Sequence, residues 1–135
     1  MSTQSIVKTL TPSFGPSFDA VITFPNSKPL ANARNTVPIT IHISTEGSNA
    51  NLGCYVYSIV DTRKQTTTPQ VYQTLLNNSS ETLVDLGKRM GRLVSKKYHV
   101  PSYVSLSGQF SHPDFVVAIQ ETIALMEDYW QNTSK

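Results

Sequence analysis

The spacing of apolar residues changes near the middle of the chain, from every second residue to every third or fourth. In the first half, Ile39, Ile41 and Ile43 alternate with polar residues, which places all three on one face of a β-strand. In the second half, apolar residues recur at helical spacing between Ser80 and Tyr98: Leu83, Leu86, Met90, Leu93 and Val94. A strand-rich half followed by a helical half favours an α+β fold.

Alternation and turn residues predict four strands in the first half of the chain, at 18–24, 39–44, 54–60 and 70–76. The turn residues 46–49 separate the second and third strands, so we expect these two to pair antiparallel as a hairpin or meander. His42 alternates with the isoleucines and therefore points away from their face. The residues Val71, Gln73 and Leu75 share one face of the fourth strand.

After the helix at 80–98, the segment 100–107 predicts a further strand, and Pro113 marks the first turn of a second helix. Ser80 or a neighbouring residue is expected to cap the first helix. The second helix has an apolar stripe formed by Phe115, Ile119, Ile123, Met126 and Trp130. The predicted architecture is a mostly antiparallel sheet of about five to six strands with two helices packed on it.

A chain of 135 residues with 39% apolar content is the right size for one domain, residues 1–135, with a single core. Residues 1–16 show no periodicity and contain Pro12, Gly15 and Pro16. They predict a loose N-terminal arm or an irregular edge segment.

Charge and cysteine content bear on the partners and the compartment of the protein. Eleven Lys and Arg against nine Asp and Glu give a net charge of +2, too small a surplus to indicate general binding to nucleic acid or membrane. The longest apolar run, 115–119, is too short to cross a bilayer, and the N-terminal residues do not resemble a signal peptide. Because Cys54 is the single cysteine, we expect a reducing compartment, the cytoplasm and nucleus.

The sequence contains none of the usual local motifs for binding phosphate or zinc or for acyl transfer. The remaining candidates are Cys54, which the strand pattern favours as a buried thiol, and His42, His99 and His112. We therefore predict no enzyme activity, no cofactor and no metal. A small hydrolase assembled from dispersed His, Asp and Ser residues remains an alternative, because catalytic triads can combine distant residues.

The first helix carries a row of bases, here called the basic ridge: Lys88, Arg89, Arg92 and Lys96. Such a row is most often a solvated helix face, partly neutralised here by Asp85. It could also dock onto an acidic surface of a partner protein. A third interpretation is a nucleic-acid-binding module around residues 88–97, with Tyr98 and Tyr103 nearby.

Two further patterns concern packing. Gly87, Gly91 and Ser95 recur every four residues in the first helix, where each glycine costs about 1 kcal/mol relative to alanine, so we expect a close approach to the sheet or to the second helix. The second helix is acidic and could pack beside the basic first helix as a complementary neighbour. Its partly apolar second side, which includes Val117 and Leu125, would be covered in an oligomer.

The helix and the following strand also carry a family resemblance. The run Leu86-Gly87-Lys88-Arg89-Met90-Gly91-Arg92, followed by Val104-Ser105, resembles the proteasome assembly chaperone 4 family, in which a small-residue helix with two arginines precedes a strand with a Val-Ser pair. The resemblance is best over the C-terminal 60 residues, and the first 70 residues match in their order of strands.

The resemblance implies a non-catalytic assembly chaperone with a proteasome assembly chaperone-like fold. Such a chaperone forms a heterodimer with a chaperone 3-type subunit through the sheets, and the pair holds proteasome α-type subunits while the α-ring of the 20S core forms. Under this interpretation the partner-binding residues are Lys88, Arg89, Arg92 and Lys96, and neither nucleic acid nor membrane is a partner.

Overall fold

The computed structural model describes residues 3–10, 18–29, 37–45, 52–60, 70–108 and 112–133. These residues form six strands and two helices. The strands are β1 (Thr3–Leu10), β2 (Phe18–Pro25), β3 (Ile39–Thr45), β4 (Leu52–Val60), β5 (Val71–Asn77) and β6 (Ser102–Ser107). The helices are α1 (Glu81–Tyr98) and α2 (His112–Thr133).

The strands form one sheet in the order β1-β2-β3-β6-β4-β5. Every neighbouring pair is antiparallel except β3 and β6, which run parallel. The core residues Ile22, Ile41, Val104 and Val56 follow one another in register across four strands and form one buried face of the sheet. Both helices pack on this face. The predicted α+β class, with a mostly antiparallel sheet and two helices, is confirmed.

The predicted hairpin between β3 and β4 is wrong. β6 lies between them, parallel to β3 and antiparallel to β4. Alternation in β3 and β4 determines which side chains face the core, but it does not determine which strands are neighbours. The buried residues Val104 and Leu106 make β6 a central strand that joins the two halves of the sheet.

For the N-terminal residues the sequence predicts a loose arm or an irregular edge segment. Thr3–Leu10 lie at the edge of the sheet, but they form a regular strand, β1, and not a loose arm. All eight residues pair in register with β2, from Thr3 opposite Pro25 to Leu10 opposite Phe18. Ile6 packs against the core, whereas Val7 is 75% exposed. The sequence of this strand, TQSIVKTL, does not alternate strictly between apolar and polar residues, so a regular strand was not predicted. Residues 1–2 and 11–16 of the predicted arm lie outside the described part of the chain.

Helix α1 begins and ends as its sequence predicts. The Ser80 hydroxyl accepts a hydrogen bond from the Leu83 amide at 3.4 Å and caps the helix. His99 ends the helix in the left-handed conformation, with φ 53°, and its amide donates to the Ser95 carbonyl. The predicted apolar stripe is buried with one exception, Leu93, which is 42% exposed.

The apolar stripe of α2 is displaced from its predicted position. Phe115, Met126 and Trp130 are buried, but Ile119 and Ile123 are only half-buried. Ala118 and Thr122 are fully buried instead. The buried side of α2 therefore includes a small and a polar residue, which a search for large apolar residues at helical spacing does not detect.

The glycines of α1 allow the helix to lie directly on the sheet, as predicted. A Cβ atom added at Gly87 would lie 2.8 Å from the Cys54 sulfur, and one added at Gly91 would lie 2.5 Å from the Ser58 hydroxyl. Both distances are shorter than van der Waals contact. The close approach is therefore to β4, which carries both neighbouring side chains.

The helices meet where α1 ends. The Tyr98 ring lies edge-on to Trp130, and its hydroxyl donates to the Glu127 carboxylate at 2.8 Å. Glu127 also pairs with Lys28 at 3.0 Å. The predicted contact between the acidic helix and the basic helix therefore occurs through Tyr98, while the basic ridge faces away from α2.

Candidate functional site

The basic ridge lies on the exposed surface of α1. Its four bases, Lys88, Arg89, Arg92 and Lys96, are all exposed, because their positions lie opposite the buried stripe. Together with Asp85 and Leu93 they line a surface cavity of about 540 Å³. The sequence thus placed these four residues on one surface correctly, and the structure adds a recess in which a partner group could sit.

Gln73 connects the basic ridge to the sheet. Its side-chain amide donates to the Lys88 carbonyl at 2.8 Å and to the Ser58 hydroxyl at 2.9 Å. Its oxygen accepts a hydrogen bond from the Arg92 guanidinium at 3.3 Å. Gln73 therefore restricts the orientation of Arg92. This role of Gln73 is not predicted from the sequence, although a glutamine between Val71 and Leu75 on one face of a strand is a signal for it.

Three buried serines continue this hydrogen-bonded contact beneath α1. The Ser95 and Ser102 hydroxyls lie 2.9 Å apart, and Ser95 also donates to the Ser58 carbonyl at 3.3 Å. Ser102 donates to the Gly91 carbonyl at 3.1 Å. Because buried polar groups are costly when they lack partners, this network favours one position of α1 over the others along the sheet.

The second candidate surface is the sheet face that carries neither helix, here called the open sheet face. One half of it carries a cluster of tyrosines on β4 and β6: Tyr103 lies 4.7 Å from Tyr57 and 6.0 Å from Tyr55, measured between ring centroids. Ile59 and Tyr72 extend the cluster toward β5 and are 40% and 51% exposed. Such a surface of aromatic and aliphatic side chains is typical of protein interfaces.

The other half of the open sheet face is more polar. The Ser5 and Thr23 hydroxyls lie 3.0 Å apart, and Val21 is partly exposed beside His42 in the register of β2 and β3. His42 lies 2.7 Å from the Ser105 hydroxyl through its Nδ1. Burial lowers the pKa of His42, which favours the neutral ring.

The residues that carry reactive groups do not assemble into a catalytic site in the described part of the chain. Burial raises the pKa of the Cys54 thiol to about 11, and the thiol lies beneath α1. His42 and Ser105 form a pair, but no described carboxylate bonds to the other ring nitrogen, as a triad requires. The described residues also contain no cluster of three or more His, Cys, Asp or Glu side chains that could bind a metal. The side chain of His112 lies outside the described set.

The nucleic-acid alternative loses the aromatic residues on which it depended. Tyr98 is buried and bonds to Glu127, and burial, this hydrogen bond and the carboxylate charge all raise its pKa. Tyr103 lies across the sheet from α1, on the open sheet face. No ring of either residue is therefore available beside the basic ridge for stacking on bases.

Within the described residues, neither helix has the length and apolarity needed to cross a bilayer.

Comparisons with known proteins identify relatives of the chain. The sequence model of the family described as 20S proteasome chaperone assembly proteins 3 and 4 matches residues 1–126. The fold is similar to that of a chain in the crystal structure of a novel chaperone complex for yeast 20S proteasome assembly, with a TM-score of 0.68 and 19% sequence identity. That similarity covers 96% of this chain and 99% of the yeast chain. A search of curated protein sequences returns no match.

Proposed function

This chain belongs to the family of 20S proteasome chaperone assembly proteins 3 and 4, and we propose that it is a chaperone 4-type subunit that acts as a heterodimer with a chaperone 3-type subunit. Its role is that of a proteasome assembly chaperone, and the match of the family model to 126 of the 135 residues carries this conclusion. The yeast chain of similar fold comes from a chaperone complex, which supports a partner chaperone for this chain too.

The open sheet face is the surface that we assign to the chaperone 3-type partner. A partner of the same fold would bring a sheet of similar size and curvature, and two such faces can pack over their full area. The cluster of Tyr55, Tyr57 and Tyr103 would form the apolar centre of that contact. The more polar half, which includes His42 and Ser105 on the two central strands β3 and β6, would lie beside this apolar contact and add specificity.

The basic ridge is the surface that we assign to proteasome α-type subunits, whose assembly into the α-ring the heterodimer would promote. Four exposed bases around a recess would attract an acidic surface and speed the encounter. Because the ridge and the open sheet face lie on opposite sides of the molecule, the chain could bind its partner and its client at the same time. Such a chaperone works by binding, without catalysis, and we place it in the cytoplasm and nucleus.

The partner contact is tested with Tyr57→Lys, which puts a charge into the tyrosine cluster of the open sheet face. We expect this variant to lose the complex with a chaperone 3-type subunit in co-purification, because an unpaired buried charge costs several kcal/mol. The control is Val116→Lys, which introduces the same charge at an exposed residue of α2, away from the open sheet face. A complex that forms equally well with both variants would place the partner on another surface.

The client contact is tested with Arg92→Glu. We expect the variant heterodimer to bind isolated α-type subunits more weakly than the wild type does, because the charge reversal repels an acidic surface. The difference in affinity between the variant and the wild type should grow as the salt concentration is lowered. The control is Lys8→Glu, the same charge change on the far edge of the sheet. If Arg92→Glu binds α-type subunits as tightly as the wild type does, the ridge is not the client surface.

A further inference from the structure

The strand β5 forms one edge of the sheet. Among the described strands it pairs with β4 alone, through five consecutive regular pairs from Val56 opposite Leu75 to Val60 opposite Val71. Alternate residues of an edge strand direct their N–H and C=O groups outward, where a further strand can bind them. The side chains on this edge are also unusually apolar, since Tyr72, Leu75 and Leu76 are 51%, 38% and 54% exposed.

The sequence of β5 lacks the features that normally prevent pairing at a sheet edge. Proteins protect exposed edges with charged residues, especially lysine, or with proline. The strand VYQTLLN contains no charged residue, no proline and no glycine. At the opposite edge, β1 carries Lys8. The sequence of β5 therefore differs from that of β1 and is suited to accept an extended chain.

The basic ridge borders this edge on the side that faces the helices. Gln73, at the centre of β5, bonds to the Lys88 carbonyl and accepts a hydrogen bond from Arg92. Side chains of an added strand would alternate between the two faces of the sheet. Those on the helix side would lie near Lys88 and Arg92, and those on the other side would lie beside Tyr72.

We propose that β5 binds an extended segment of the client subunit as an additional strand, with carboxylates at every second position facing α1 and apolar residues between them. The carboxylates would pair with Lys88 and Arg92, and the backbone would bond to the edge of β5. This inference rests on the proposed function, which supplies the client. It goes further, because binding through the ridge alone would leave the outward-directed backbone groups of β5 without a partner strand among the described strands.

Amide hydrogen exchange tests the added strand directly. The chaperone heterodimer is measured alone and with a bound α-type subunit, and exchange is followed in Val71–Asn77 and in β1. We expect amides of β5 to exchange about tenfold more slowly, or slower still, in the complex, and those of β1 to remain unchanged. If the client binds and exchange in β5 does not change, the strand addition is refuted while the chaperone function stands.

Synthetic peptides separate backbone pairing from charge attraction. The first probe is a seven-residue peptide with alternating glutamate and valine, the second replaces its glutamates with lysine, and the third keeps glutamate and valine but has N-methyl groups on alternate amides. We expect the first peptide to protect β5 and the other two to bind at least about tenfold more weakly, because one lacks the charge and the other lacks donors. Equal binding of the first and third peptides would refute backbone pairing.

Variants of the full chain complete the test. Lys88→Glu should weaken binding of the glutamate peptide and strengthen binding of the lysine peptide, whereas Lys8→Glu should change neither. Should α-type subunits fail to bind the wild-type heterodimer, the client assignment fails and the inference fails with it. If α-type subunits bind and are displaced by the glutamate peptide but not by its N-methylated form, the client assignment and the added strand on β5 are both supported.

Discussion

The contact between α1 and β4 predicts that the effect of Gly91→Ala on stability changes sign with the residue at position 58. A Cβ atom at position 91 would lie 2.5 Å from the Ser58 hydroxyl but 3.5 Å from the Ser58 Cβ and from the Gln73 nitrogen. Only the hydroxyl is too close, by about 1 Å relative to ordinary contact. Rotating the Ser58 hydroxyl away would break its 2.9 Å hydrogen bond with Gln73.

The expected magnitudes follow from this geometry. Overpacking of this kind costs about 1–3 kcal/mol, and alanine gains about 1 kcal/mol over glycine inside a helix. Gly91→Ala should therefore lower the free energy of unfolding by about 1 kcal/mol in the wild type. In the Ser58→Ala background the clash is absent, so the same change should raise the free energy of unfolding by about 1 kcal/mol.

Urea denaturation of the four proteins, wild type, two single variants and the double variant, measures this coupling. We expect a coupling energy of about 2 kcal/mol. Gly87→Ala is the matched control, because its Cβ would meet Cys54 and Val56 rather than Ser58, and its cost should be the same in both backgrounds. If Gly91→Ala has the same effect with serine and with alanine at position 58, the close contact does not limit the position of α1.

Three further predictions concern individual side chains. Thr122→Val should raise the free energy of unfolding by about 1 kcal/mol in urea denaturation, because the buried Thr122 hydroxyl has no hydrogen-bond partner among the described residues; a loss of stability would contradict this. Burial lowers the pKa of His42, so the unfolded chain binds a proton more readily than the folded chain does. The free energy of unfolding should therefore be highest above the ordinary histidine pKa of 6.5 and should fall as the pH falls below that value. His42→Gln should reduce this fall. Partial burial alone would raise the pKa of Glu127, but hydrogen bonds from Lys28 and Tyr98 and the charges of Lys28 and Lys97 outweigh it and lower the pKa. The contribution of Glu127 to stability is therefore present above pH 4.5 and is lost as the pH falls through the lowered pKa. Glu127→Gln should flatten the dependence of the free energy of unfolding on pH below pH 4.5.

The candidate surfaces could be predicted from the sequence to different extents. The basic ridge was predictable because residues four apart on a helix lie on one face, so Lys88, Arg92 and Lys96 share a surface wherever the helix packs. The family resemblance implies a partner contact through the sheet, and the alternation of β3 correctly placed His42 away from the core, but the tyrosine cluster of the open sheet face was not predicted. Tyr55, Tyr57 and Tyr103 form a cluster only because β6 lies beside β4. These two strands are distant along the chain, so no local sequence pattern predicts that they pair.

Local sequence patterns were sufficient to predict the strands after β1, both helices, the isoleucine face of β3 and most of the buried stripe of α1. The glycines of α1 were sufficient to predict a close contact. The tertiary structure alone decided that β6 separates β3 from β4, that Thr3–Leu10 close one edge, and that β5 remains at the other edge beside the basic ridge. The reason is physical. A side chain's face depends on residues two to four positions away, whereas a strand's neighbours depend on hydrogen bonds and core contacts between segments that are distant along the chain.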